Sequence, residues 1–149
     1  MFYWLLGIAG LVVLLIALFP RGEPRVGLVA GKLGPCPNTP NCVCSEGPHT
    51  PATIAPLKIN DSADSAWQAA KQAALAAGGQ IQAEQDGYLW LSFTTRWLRF
   101  VDDVELRLDA ESGVIHVRSA SRLGRSDFGV NRKRVEEIRH LFAGAAVER

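Results

Sequence analysis

The chain opens with an unbroken apolar run, Phe2 to Phe19, closed by Pro20 and Arg21; only afterwards come the alternations that mark helix and sheet. These 18 residues reach the lower limit for a helix crossing a hydrocarbon layer of about 30 Å. Tyr3 and Trp4 suit one interface, Arg21 and Arg25 the other. A helix apolar on every face does not belong to a water-exposed domain. A basic leader and a small-x-small cleavage site are both missing, so the run reads as an uncleaved single-pass anchor rather than a removed signal.

Residues 1–20 are thus expected to be a transmembrane anchor, 21–52 a Pro/Gly/Cys-rich linker and loop, and 53–149 an α+β domain. The domain is predicted as a mainly antiparallel β-sheet with two helices packed on it, in the order β-α-β-β-β-β-α. Ile54–Ile59 is a short edge strand, since Pro56 cannot serve a central one. Asp61 or Ser62 caps a helix through Ala77, with an alanine-rich buried stripe and Gly78-Gly79 as its stop. Four strands follow near Gln80–Gln85, Tyr88–Thr94, Arg99–Leu108 and Val114–Ser119. A last helix spans about Asn131–Phe142, with Val135, Ile138, Leu141 and Phe142 on one face.

Pattern alone sets the register of the last hairpin. With Glu111-Ser112 at the turn, Leu108 faces Ile115, Leu106 faces Val117, Val104 faces Ser119 and Asp102 faces Ser121. On the other face Glu105 opposes Arg118 and Arg107 opposes His116. In the first hairpin a three-residue loop with Gly87 at a bulge is preferred over a two-residue Asp86-Gly87 turn. This register points Asp102 towards the apolar layer, where a carboxylate must be paired; Ser119, Ser121 and Arg122 are the near candidates. Asp103 and Glu105 are expected to be solvated partners of Arg118.

Charge changes the picture locally. The chain carries 16 basic and 15 acidic residues, a net +1, which disfavours nucleic acid as a partner. Six basic residues nevertheless fall between Val114 and Arg139: Arg118, Arg122, Arg125, Arg132, Lys133 and Arg134. Three of them stand at the start of the last helix, against its macrodipole, so an anionic partner is expected there. Arg118, Arg122, Arg132 and Arg134, with Asp102 and Asp127, form the candidate ligand site. No G-x-S-x-G, H-E-x-x-H or G-x-G-x-x-G pattern occurs in the sequence, and no catalytic residue, cofactor or metal is assigned.

Cys36, Cys42 and Cys44 crowd into GPCPNTPNCVCSEGPH. So little apolar material holds that loop that a disulfide, with Cys36–Cys42 as the preferred pair, is its expected closure; this calls for an oxidising compartment. Free thiols, or zinc held by Cys36, Cys42, Cys44 and His49, are the alternatives, although the spacing matches none of the common zinc patterns. The positive-inside rule, applied to Arg21 and Arg25, would instead keep the domain in the cytoplasm.

CPNTPNCVCS at Cys36–Ser45, FVDDVELRL at Phe100–Leu108 and VRSASRLGRSDFGVNRKRVEEIR at Val117–Arg139 resemble the signature blocks of the domain of unknown function 1499 family, from Cys36 to about Phe142. The resemblance implies a small α+β domain behind a membrane or targeting segment, and no reaction. Cys44 stands where that family usually has serine.

The functional expectation is a single-pass protein of the bacterial inner membrane, attached through residues 2–19, with a periplasmic, non-catalytic domain. Its Ser119–Arg134 segment would bind an anionic small molecule, lipid headgroup or protein. A scaffold for a membrane complex, and an enzyme acting on an anionic substrate, are the alternatives.

Overall fold

Period-2 alternation through the middle of the chain builds an antiparallel meander, and the two helical segments flanking it supply the layer that covers one face. The computed structural model describes residues 22–96 and 99–147. Its elements are β1 (Leu28–Val29), β2 (Lys32–Leu33), β3 (Cys42–Cys44), β4 (Leu57–Lys58), α1 (Ala63–Ala76), β5 (Gln80–Gln85), β6 (Tyr88–Thr94), β7 (Val101–Asp109), β8 (Val114–Ser121) and α2 (Val130–Val147). The main sheet runs β3-β8-β7-β6-β5, with β4 also on β8, and every pairing of these strands is antiparallel. β1 and β2 form a separate small hairpin. The fold is α+β with an antiparallel sheet and two helices. Among the described residues no helix is long and apolar enough to cross a membrane; Phe2–Phe19, where the anchor is expected, lies outside them.

Ser62 caps α1, its hydroxyl accepting from the Ser65 N–H at 3.2 Å. The helix buries Ala66, Ala70, Ala73 and Ala74, small side chains that let its backbone lie close to the sheet. The core between helices and sheet contains Leu89, Leu91, Val104, Leu106, Ile115, Val117, Val135 and Ile138, none of them accessible to solvent. The β7–β8 register is the expected one throughout: Leu108↔Ile115, Leu106↔Val117, Val104↔Ser119 and Asp102↔Ser121.

Several expectations are corrected. Residues 21–52 are not merely a linker, because Cys42–Cys44 pair with Arg118–Ala120 as an edge of the main sheet; a domain beginning at residue 53 would lack that edge. The first hairpin uses the two-residue Asp86-Gly87 turn, with Gln85 opposite Tyr88, and its bulge lies between Ile81 and Ala83 rather than at Gly87. That extra residue brings Ile81 opposite Leu91. The second sheet face is not solvated. Residues 25–35 fold over it, leaving Asp103 and Glu105 buried, Glu105 completely.

The turn from α1 into β5 depends on a missing side chain. A Cβ on Gly79 would lie 2.8 Å from both the Ala74 carbonyl oxygen and Leu91 Cδ2. Gly79→Ala should therefore destabilise the fold by about 1–3 kcal/mol through overpacking. Gly144, inside α2 with open space around it, should behave oppositely, Gly144→Ala adding up to about 1 kcal/mol by helix propensity. Urea midpoints of the two variants check both signs.

Candidate functional site: a polar sheet face under the N-terminal segment

Consecutive residues of a strand point to opposite faces, so β7 sends Asp102 to the helix side and Asp103 and Glu105 to the other. Each carboxylate meets a guanidinium. On the helix side Arg134 Nη2 donates to Asp102 Oδ2 at 2.7 Å, and its guanidinium lies 4.8 Å from the centre of the Phe93 ring. Arg122, the expected partner of Asp102, instead grips Asp103 through Nε and Nη2, both at 2.8 Å. This bidentate geometry is the strong form of the pair. It arises because Arg122 lies beyond the end of β8, on the face that Ala120 occupies opposite Asp103. Trp90 Nε1–H adds a third donor to Asp103.

Glu105 and Arg118, opposed across the strands, form the deepest pair, Nη1 donating to Oε2 at 2.7 Å. The other carboxylate oxygen accepts from the Tyr88 hydroxyl at 2.8 Å and the Gly27 N–H at 2.7 Å. Burial, and the Glu105 carboxylate beside it, push the Tyr88 phenol well above its usual range. Nearer the β7–β8 turn, Arg107 donates twice to Glu46 and once to Asp109, while His116 Nδ1 lies 3.1 Å from Ser45 Oγ. Burial lowers His116. Burial raises Glu46, but the bonds from Arg107 and the Leu33 N–H outweigh it and leave that carboxyl low.

The expected site residues do not converge. Arg118 and Arg122 share the second face and line one cavity of about 550 Å³ with Asp103, Asn41 and Gly124. Arg134 and Asp102 lie on the helix side. Arg132 donates to the Pro51 and Thr53 carbonyls, on a separate cavity beside the disulfide loop. Asp127 is the anion at the start of α2. Its oxygens accept the N–H groups of Gly129 and Asn131 at 2.9 and 2.8 Å, which fills positions where an external anion was expected. Burial raises Asp127, and those two N–H groups more than reverse the effect. A cavity of about 700 Å³ between β4 and the helices gathers none of these pairs; Arg139 there donates to the Ala55 and Pro56 carbonyls and to Glu136.

Cys36 and Cys42 form the disulfide, their Cα atoms 5.6 Å apart. This consumes two of the four ligands of the zinc alternative. Cys44 remains a buried thiol, raised by burial. Sequence reasoning did not single out Asn41 and Asn131, which join the loop to the helix. The Asn131 amide, wholly buried, donates to the Asn41 carbonyl, Ser121 Oγ and Asp127, and accepts from Ser119 and Arg134. Asn41 Nδ2 in turn donates to the Gly124 carbonyl at 2.8 Å. The usable signal was that charges of opposite sign face each other across β7 and β8 on the supposedly wet side.

One donor is unaccounted for. Arg118 is 4% exposed, yet its Nε has no hydrogen-bond partner among the described residues. A buried donor left open is costly unless a ligand or water meets it.

Removing Glu105 would strand the Arg118 charge, so Glu105→Ala should cost about 3–5 kcal/mol, read by urea denaturation. Exposed Glu111→Ala should change stability by under about 0.5 kcal/mol. The pH dependence has a definite sign. His116, Glu46 and Asp127 all have lowered folded-state values, so the unfolded chain takes up protons first and stability falls as pH falls. His116 opens this loss below its ordinary 6.5, and Glu46 extends it below 4.5. His116→Asn should flatten the upper window alone, in urea midpoints followed against pH.

A family model described as a protein of unknown function, DUF1499, matches residues 32–142. No curated protein matches the chain significantly. The match runs from β2 into α2 and takes in the disulfide loop, both faces of β7 and the β8–α2 connection. The chain belongs to the DUF1499 family.

Proposed function

We propose that this protein is a non-catalytic domain tethered to the bacterial inner membrane through residues 2–19, facing the periplasm, that binds a small carboxylate- or phosphate-bearing ligand. The site is the cavity lined by Arg118 and Arg122. The observation that carries the reading is that Arg118, which lines that cavity, has a buried Nε with no hydrogen-bond partner among the described residues. Arg122, partly buried there, adds a second guanidinium suited to an oxyanion. The disulfide supports an oxidising compartment. Opposing charges limit the ligand: Glu105 and Asp103 already balance the two arginines, so a singly charged head fits better than a polyanion. An enzyme that used Asp102 or Asp127 as its acid or base is the less supported alternative, because Asp102 is held by Arg134 and Asp127 by backbone donors.

A scaffold role has one specific observation in its favour. The ion pairs and the Asn131 amide tie the disulfide loop, β7, β8 and α2 together without any ligand.

Calorimetric titration of the full chain with inorganic phosphate and with acetate separates the two readings. Binding that weakens as salt rises, falls about tenfold or more in Arg122→Lys and survives Arg132→Ala supports the ligand site. Absence of heat with both probes, or equal binding by all three proteins, leaves the scaffold reading.

A further inference from the structure

We propose that the Cys36–Cys42 bridge is exchangeable within the folded chain: the Cys44 sulfur attacks Cys36, Cys42 leaves, and a Cys36–Cys44 bridge takes its place. This inference does not depend on the ligand reading above.

The third sulfur stands close to the bridge. Cys42 and Cys44 are two residues apart in β3, opposite Ala120 and Arg118 of β8, so their side chains share one face of the strand. Cys36 and Cys44 together line a cavity of about 60 Å³, and Cys36 packs against the apolar cluster of Leu33, Cys44 and Tyr88. The Cys44 thiol lies 4.0 Å from the carbonyl oxygen of Gly34, two residues before Cys36.

The strand decides which sulfur is attacked. β3 keeps the Cα atoms of Cys42 and Cys44 about 6.6–6.8 Å apart, at the upper end of the roughly 4.4–6.8 Å that a disulfide spans. Both residues are also held by their pairing with β8. Cys36 lies outside the strands, so its loop can turn from one neighbour to the other. The Cys44 thiolate donates an electron pair to Cys36 Sγ and the Cys36–Cys42 bond breaks. Cys42 departs as thiolate and takes up the proton that Cys44 lost. One disulfide and one thiol stand on each side of the reaction, so it needs no external oxidant or reductant.

Burial raises the Cys44 thiol, and the Glu46 N–H and Arg118 offset this only in part. Exchange is therefore slow at neutral pH and quickens in alkali. Cys36, with Gly34, Pro35 and Pro37, also lines the cavity of Arg118 and Arg122; drawing its sulfur towards Cys44 moves that wall.

The test follows the sulfurs by differential alkylation of the full chain. Samples held without reductant at neutral and alkaline pH are quenched in acid, unfolded and labelled with one alkylating agent. They are then reduced, labelled with a second agent and sequenced by tandem mass spectrometry. With the bridge as the structure has it, the first label falls on Cys44 alone. The expected result is its appearance on Cys42 in monomeric chains, with the second label on Cys36 and Cys44. The rate should climb about tenfold per pH unit while the thiol is mostly protonated. The variant Cys42→Ser, oxidised in glutathione buffer, should take no first label, Cys36 and Cys44 being bridged. A first label confined to Cys44 at every time and pH in the unmutated chain overturns the exchange, whether or not the variant folds. A folded variant that keeps two free thiols overturns it as well.

Discussion

The structure turns on two adjacent carboxylates in one strand. Asp102 and Asp103 point to opposite faces of β7, and both faces are covered, so neither can be left to water. A buried carboxylate without a partner would be costly, and the partners come from further along the chain: Arg134 for Asp102, Arg122 for Asp103. The path from β8 to α2 must therefore deliver Arg122 to one face of the sheet and Arg134 to the other within a dozen residues. Asn131 keeps that path in place. It bonds the segment to β8 and to the loop that the Cys36–Cys42 disulfide closes. The three sequence blocks that carry the family resemblance are thus parts of one polar assembly.

Much of this was legible before any coordinates. The Leu108, Leu106 and Val104 alternation fixed the register against Ile115, Val117 and Ser119, because a one-residue slip would turn that whole set outward. Ser62 and Gly78 bounded α1 for the same local reasons that hold in isolated helices. The inward Asp102 was legible too, since alternation alone sends it to the helix side. Its partner was not: Arg122 and Arg134 are both downstream arginines, and only the direction of the loop distinguishes them.

The larger error concerned the second face. An antiparallel sheet with charged residues on one side usually shows that side to solvent, and Asp103, Glu105, Arg107 and Arg118 fit the pattern. What covers them is a segment rich in glycine, with only short strands, whose contribution is a few backbone groups. Gly27 gives its N–H to Glu105, Arg25 its carbonyl to Arg118, and Leu33 its N–H to Glu46. Backbone donors leave no trace in hydropathy or charge. The clue lay in cross-strand complementarity, Glu105 opposite Arg118, which costs little in water and becomes obligatory once the face is closed.

The same accounting separates spent charge from available chemistry. The arginines at the start of α2 looked like an anion site, yet Asp127 already occupies the helix N-terminus, and Arg132 and Arg134 are bound to carbonyls and to Asp102. Their cost against the helix dipole is offset within the chain itself, so they need no external partner. Arg118 differs. Burial has removed water from its Nε without supplying an acceptor among the described residues, and the residue lines a cavity of about 550 Å³. The Arg118 guanidinium is thus committed to Glu105 through Nη1 while its buried Nε has no hydrogen-bond partner among the described residues, and the proposed ligand reading rests on that difference from the arginines of α2.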